Sequence, residues 1–315
     1  MFDFNIYQNK EFLKIIEDVY QIEKVAIFND NKFNGLTTFY KAKNRKSDIF
    51  NMPFNFYYSP IIASKIENKY FNELKEYSKK NKINIIMKSL NYYEKIDTKQ
   101  LYANNPIIEL SEDYTMRFSK NLKQNLKRNY NKANKNNIVI VQSYCEKDLI
   151  EFYNDVLSIV YIDKHKMLFQ PLELFVKLLK KKKLEMFIAK QDNIVIGGLL
   201  CIKDTHTLHY NWGASLIVEN IALGTLLIEY AIKYAYQNSY AYFDMGSTSL
   251  SDEKLFDFKM RWGATNYKVY EYYTLAPPTQ IDLNNSYKLA RNIYSKFPKL
   301  FLRWLMPKII PWLVQ

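Results

Sequence analysis

Apolar residues in 9–20 fall at Phe12, Ile15, Ile16 and Val19, the i, i+3, i+4, i+7 spacing of one buried helical face. The pattern then shortens. EKVAIFND, the polar residues Asn31 to Gly35 and LTTFYKA predict strand, turn and strand, a hairpin. MPFNFYYSP (52–60) is a Pro-bounded extended segment, KIENKYFNELKEYSKKN a helix and INIIMKSL a buried strand. From residue 148 the plan repeats. DLIEFYNDVLSIVY and LELFVKLLKKKK carry helical periodicity, LEMFIAK and IVIGGLLCI read as strands around the turn QDN, and TLHYNWGA is a third strand. Residues 219–237 form the strongest helix, AYFDMG a short strand, DEKLFDFKMRWG a short helix and YKVYEYYTL a last strand. Helices alternating with hairpins predict an α/β (α+β) fold with a mixed sheet, in two units of one element order, 1–110 and 111–276, followed by a tail over 277–315.

Composition narrows the class. A 48% hydrophobic, 24% charged chain of 315 residues with 7 Gly and 9 Pro is globular, not disordered or collagenous. Cys145 and Cys201 form no spacing motif, and with three His they make no convincing zinc set, so no metal is expected. The first 20 residues show no basic stretch leading into an apolar run, so a cytoplasmic body is expected. The 45 Lys+Arg against 32 Asp+Glu give +13, which favours an anionic partner or reflects a Lys-rich background; placement must decide.

Three stretches carry candidate chemistry. RFSKNLKQNLKRNYNKANKN (117–136) holds Arg117, Lys120, Lys123, Lys127, Arg128, Lys132 and Lys135 without one acidic residue. As a helix N-capped by Ser119 it packs Phe118, Leu122, Leu126 and Tyr130 inward and turns its cations out, as a solvated face or an anion-binding edge. In YFDMGSTSLSDEKLFDFKMRWGA (242–264), Asp244 ends a buried strand, where open α/β sheets present functional groups, and Lys259 and Arg261 stand among aromatics. A partly desolvated Lys259 suits a phosphate or a developing oxyanion; alternatively Asp244 caps the next segment and Lys259 snorkels outward. In TLHYNWGAS, His209, Tyr210 and Trp212 line a substrate cleft or are plain core, and Lys164 and His165 in YIDKHKM are weaker candidates.

The run from KNLKQNLKRNYNKANKNNIVI through YIDKHK, FIAKQDNIVIGGLLCIK and LHYNWGAS to YFDMGSTSLSDEKLFDFKMRWGA resembles the Fem family of peptidoglycan-bridge aminoacyltransferases and its exopolysaccharide-associated relatives. NMPFNFYYSPI matches the family's first-half stretch, so the resemblance covers about residues 5–275. Its sharpest signature is Phe243, Asp244 and Gly246, followed by Phe258, Lys259, Arg261, Trp262, Gly263 and Ala264.

The resemblance implies two tandem GNAT-like domains and acyl transfer to an amine, or less often a hydroxyl, of a glycan or cell-envelope precursor. It implies Lys259 as the charge-stabilising group, Asp244 as base or amine-orienting group, and Lys120, Lys123, Lys127 and Arg128 bordering a phosphate-binding cleft with Tyr210, Trp212 and Arg261. No tightly bound cofactor is implied. SLIVENIALGTLL departs from the glycine-rich loop that grips coenzyme A in GNAT acetyltransferases. The donor is therefore open between acyl-CoA, acyl-carrier protein and aminoacyl-tRNA. The favoured acceptor is a sugar or glycan intermediate, free, nucleotide-linked or lipid-linked; aminoacyl-tRNA-dependent bridge formation is second, and a nucleic-acid or membrane binding module is the non-enzymatic alternative.

From Leu283 to Gln315 the chain has no acidic residue, while six cations alternate with aromatic and aliphatic residues. Three prolines interrupt its last stretch, so the composition is that of an amphipathic tail for an anionic membrane surface at the inner face of the cell membrane, or of a packing or dimer-forming segment.

Overall fold

The computed structural model describes residues 6–25, 39–41, 48–50, 67–165, 169–277, 297, 301, 302, 304 and 305. Helix α1 (Lys10–Tyr20) begins where the Asn9 side chain accepts from the backbone N–H groups of Glu11 and Phe12, both at 3.1 Å. It ends at Gln21 in the left-handed region, and buries Phe12, Ile15 and Ile16 as their spacing predicts. Strands β1 (Lys24–Val25) and β2 (Phe39–Lys41) pair antiparallel as the expected hairpin, whose turn, like 52–60, lies outside the described residues. β3 (Asp48–Phe50), α2 (Glu67–Asn81) and β4 (Asn84–Ser89) follow.

β5 (Lys99–Glu109) is the longest strand among the described residues, and its Asn104-Asn105-Pro106 has the composition of a turn. It stays extended because one edge changes partner there. β10 (Tyr242–Asp244) pairs with residues 107–109, β11 (Thr248–Ser249) pairs with 103–104, and Asn105 and Pro106 face the loop between them. The missing Pro106 N–H therefore costs no ladder bond on that edge, and its carbonyl accepts from Met245 N–H at 3.1 Å.

α3 (Lys120–Lys135) starts at Ser119, whose Oγ accepts from Leu122 N–H, and buries Leu122 and Leu126 as expected. After β6 (Ile138–Gln142), α4 (Glu146–Glu151) widens into π-helical turns over 152–157 and 160–165, where periodicity predicts one regular helix. α5 (Leu172–Lys180), β7 (Leu184–Gln191), β8 (Ile194–Lys203), β9 (Thr207–Ser215), α6 (Leu223–Gln237), α7 (Glu253–Met260) and β12 (Thr265–Tyr273) complete the described body. The β7–β8 turn uses Asp192 (φ 49°) and Asn193 (φ 68°), the left-handed pair that a two-residue hairpin needs.

Among the described residues all twelve strands form one mixed sheet, ordered β1-β2-β3-β4-β12-β5-β10-β9-β8-β7-β6 with β11 beside β5. One apolar cluster joins α1, α4, the π-helical turns and α5 to one face; another joins α3, α6 and Trp262 to the opposite face. The close approach on both sides has a sequence cause. A Cβ on Gly198 would stand 2.7 Å from the Phe152 ring, and one on Gly197 3.1 Å from Leu223. The mixed α/β fold class is thus as the sequence implies. Of the tail, residues 301–302 and 304–305 are helical, and Leu302 is buried in the cluster that contains α1.

Candidate active site

The parallel strands β9 and β10 pair only from Thr207 to His209 on one and Tyr242 to Asp244 on the other. Beyond that point β10 ends while β9 runs on to Ser215, and the sheet opens. The opening is a cleft of about 350 Å³, lined by Tyr210, Ser215, Thr225, Phe258 and Lys164 among others. α6 begins at its mouth without a side-chain cap, and Ala222 N–H is bound instead by Asn129 Oδ1 of α3 at 2.7 Å.

A bulge in β9 sorts the candidates of TLHYNWGAS. Leu200 faces Trp212 and Cys201 faces Tyr210, so Asn211 is the extra residue, and its Oδ1 accepts from Ile202 N–H at 3.0 Å. The bulge reverses the side-chain alternation. Tyr210 stays with the α6 side and lines the cleft, whereas Trp212 turns to the other face and packs edge-on against Phe175, ring centroids 4.9 Å apart. Trp212 is therefore core and does not line the cleft.

Asp244 lies at the foot of the opening, fully buried. Its Oδ1 accepts from Gly246 N–H (2.8 Å) and Asn105 Nδ2 (3.0 Å), and its Oδ2 lies 2.9 Å from His209 Nδ1. It holds the turn after β10; the cap of α7 is Asp252, which accepts from Leu255 N–H. Gly246 adopts φ +76°, and a Cβ there would lie 3.2 Å from the Tyr210 carbonyl, so both conformation and space call for glycine.

His209 is fully buried between two carboxylates, with Asp204 Oδ2 3.8 Å from Nε2. Burial alone would lower its pKa, but the carboxylates of Asp204 and Asp244 together outweigh that and hold it above the ordinary imidazole value. Asp204 Oδ2 also accepts from Ile6 N–H at 3.2 Å, so the network ties the start of the described chain to β9, β10 and β5.

Lys259 comes from the last turn of α7 and is 5% exposed, so it does not snorkel. Its Nζ donates to the carbonyls of Gly246 (2.8 Å) and Ser247 (3.2 Å). Burial pushes its pKa down to about 8, against the opposing pull of Asp244 and Asp252. Dipoles hold this cation, and among the described residues no carboxylate lies in salt-bridge contact with it.

The structure thus gathers Asp244, Lys259, Tyr210 and Lys164 at or beside the opening. Arg261 is exposed at the end of α7, where its carbonyl accepts from Ser119 N–H at 2.8 Å and joins α7 to the start of α3. Lys120 is exposed, and Lys123 Nζ donates to the Met116 carbonyl at 3.1 Å. Lys127 and Arg128 line, with Lys132 and Lys135, a shallow groove of about 380 Å³ on the outer face of α3. Lys132 Nζ reaches the Asn220 carbonyl, just before α6, at 3.5 Å. The side chain of His165 lies outside the described residues. Sequence reasoning missed Asn105, hidden in an apparent turn, the partnership of Asp204 with His209, and Tyr161 beside the cleft, whose phenol burial pushes up to about 12. For the second the available signal was an acid just ahead of the strand that carries the histidine.

No family model and no curated protein matches the sequence. Several solved structures share its fold. The C-terminal domain of a putative lysylphosphatidylglycerol synthetase from Agrobacterium fabrum superposes with TM-score 0.57 at 8% identity, covering 91% of this chain and 93% of that one. FemX gives TM-score 0.57 at 13% identity over 88% and 93% of the two chains. L-PGS from Bacillus licheniformis gives 0.53 at 11% identity over 92% and 98%. At these identities the likeness is one of fold, and it extends over nearly the whole chain.

Proposed function

We propose that this chain is an acyltransferase that moves an activated acyl or aminoacyl group onto an amine of a glycan or cell-envelope precursor, with N-acylation of a sugar or glycan intermediate as the favoured reaction. The observation that carries this reading is the cleft at the β9–β10 divergence, with Asp244 at the end of β10 and Lys259 bound to the loop that follows it, next to the cleft residue Tyr210. The fold likeness to FemX and to L-PGS supports the same class.

The chemistry needs a neutral amine to attack the donor's carbonyl, a tetrahedral oxyanion to be stabilised, and the amine's proton to pass to the donor's sulfur or oxygen as the C–S or C–O bond breaks and that thiol or hydroxyl leaves. Lys259 suits the second task. An ammonium carries three donors, two of which bind loop carbonyls, and a cation already desolvated acts strongly on nearby developing charge. With its pKa near 8 it also loses a proton easily and can relay one. Asp244, satisfied by Gly246, Asn105 and His209, acts by fixing the loop whose carbonyls hold Lys259. In this reading Tyr210 and Lys164 contact the entering group.

A second reading, transfer from aminoacyl-tRNA, is favoured by the α3 groove, whose four cations have no acidic neighbour on their helix and which reaches the loop before α6. The test is to incubate the protein with acyl-CoA, acyl-carrier-protein thioester or aminoacyl-tRNA plus amino-sugar nucleotide and lipid-linked acceptors, and to weigh the products by mass spectrometry. A donor-dependent mass gain on an acceptor amine is expected. Absence of any such product, with salt-sensitive RNA retention instead, would make the protein a binding module.

A further inference from the structure

Phe297, Phe301 and Trp304 are 43%, 40% and 58% exposed, although each is large enough to belong in a core. Their rings form a row, with Phe297 to Phe301 centroids 5.5 Å apart and Phe301 to Trp304 5.9 Å apart. These contacts set the three rings side by side. Between them, Leu302 is 4% exposed and belongs to the cluster that contains α1. Among the described residues of the tail, Leu302 is held in the body while three adjacent aromatic rings are exposed.

Charge identifies the occupant. The surrounding sequence, 283–315, carries Lys288, Arg291, Lys296, Lys299, Arg303 and Lys308 and no Asp or Glu, within a chain of net charge +13. Exposed aromatic rings in a stretch of sequence that is basic and has no acidic residue match an anionic bilayer surface, where rings enter the headgroup boundary and cations meet lipid phosphates. No helix among the described residues is long and apolar enough to cross a membrane.

We propose that the Phe297–Phe301–Trp304 row is a docking surface for an anionic lipid bilayer, holding the body at the membrane by its sheet face that carries α1. The proposal is independent of the reaction assigned to the cleft, and its test needs no turnover.

Full-length protein is sedimented with vesicles of equal parts phosphatidylglycerol and phosphatidylcholine, and with phosphatidylcholine alone. A variant carrying Phe297→Ser, Phe301→Ser and Trp304→Ser together, with Leu302 untouched, is run beside it. The parent should pellet with the anionic vesicles and release at high salt, and the variant should lose about tenfold or more in partitioning, because interfacial binding follows buried apolar area. Trp304→Ser alone, checked by thermal melting, serves if the triple variant does not fold. In the parent, quenching of indole fluorescence by brominated lipid should come from the tail, which holds Trp304 and Trp312, since Trp212 and Trp262 are buried, and the share lost in Trp304→Ser reports the row itself. A parent that stays in the supernatant, a folded variant that pellets like the parent, or a parent that is a dimer split by the variant without vesicle binding would each overturn the proposal.

Discussion

Among the described residues two lysines are buried, Lys88 on a strand of the first half and Lys259 on a helix of the second, and they are held differently. Lys88 of β4 lies 3.6 Å from the Glu271 carboxylate, directly across from it on β12, with its Nζ 3.7 Å from the centre of the Tyr102 ring. Among the described residues the hydrogen-bond partners of Lys259 Nζ are two backbone carbonyls. A full counter-charge and an aromatic face make Lys88 a cross-strand tie; partial charges leave Lys259 destabilised as a cation, with its pKa near 8. Burial of a lysine alone therefore says little about function. The group that compensates it carries the information.

The sharpest way to break this comparison is to remove each amine. Lys259→Met should lower turnover by about 10²–10³, typical of deleting a transition-state charge partner, while shifting the melting temperature only slightly. Lys88→Met should do the reverse: turnover within about twofold, and roughly 2–4 kcal/mol less stability, because Glu271 is left largely buried without its cation. If chemical denaturation and initial rates show equal activity losses for both variants, the distinction between tie and reacting group is wrong.

The two halves of the Asp244 network should also separate by pH. His209 has a raised folded pKa, so the stability it contributes is complete below about 6.5 and is lost as pH rises through the folded value, with a slope of at most about 1.4 kcal/mol per pH unit. Lys259 has a lowered one, so the unfolded chain binds more protons between about 8 and the free-lysine value near 10.4, and its contribution rises with pH across that window. Urea denaturation of the parent minus His209→Gln should fall with pH, and parent minus Lys259→Met should climb. Equal slopes would mean that neither group titrates as the geometry requires.

The smallest effect expected is at α3. If the α3 groove holds a phosphate-bearing donor or acceptor, Lys127→Gln with Arg128→Gln should raise its KM several-fold at low salt and flatten the ionic-strength dependence, since exposed cations are screened beyond about 10 Å at 0.1 M. A KM unchanged across salt would return the α3 groove to a solvated surface.

Much of the fold was legible because its periods are clean: α1, α6 and the β7–β8 hairpin follow apolar spacing and turn chemistry directly. What stayed hidden depends on contacts between distant residues. β5 looks broken at Asn105-Pro106 until β10 and β11 are seen to exchange places along its edge. Tyr210 and Trp212 share a face in any regular strand, and only the extra residue at Asn211 parts them. Asp244 and Lys259 were visible as a pair in the sequence, but not the carbonyls that hold the lysine, nor Asn105 from the other half of the chain.

The position of β12 also bears on how the protein is made. Residues 265–273 lie between β4 and β5, bonded to both, although those strands are synthesised more than 150 residues earlier. While the chain is still emerging from the ribosome, β4 and β5 each present an open edge that nothing nearby in sequence can close. Such edges are templates for wrong pairing, and a nascent chain halted before residue 265 is the species most exposed to it. Folding of the first half is therefore a late, long-range event, completed by nearly the last strand of the described body, and co-translational chaperones have their clearest substrate in that interval.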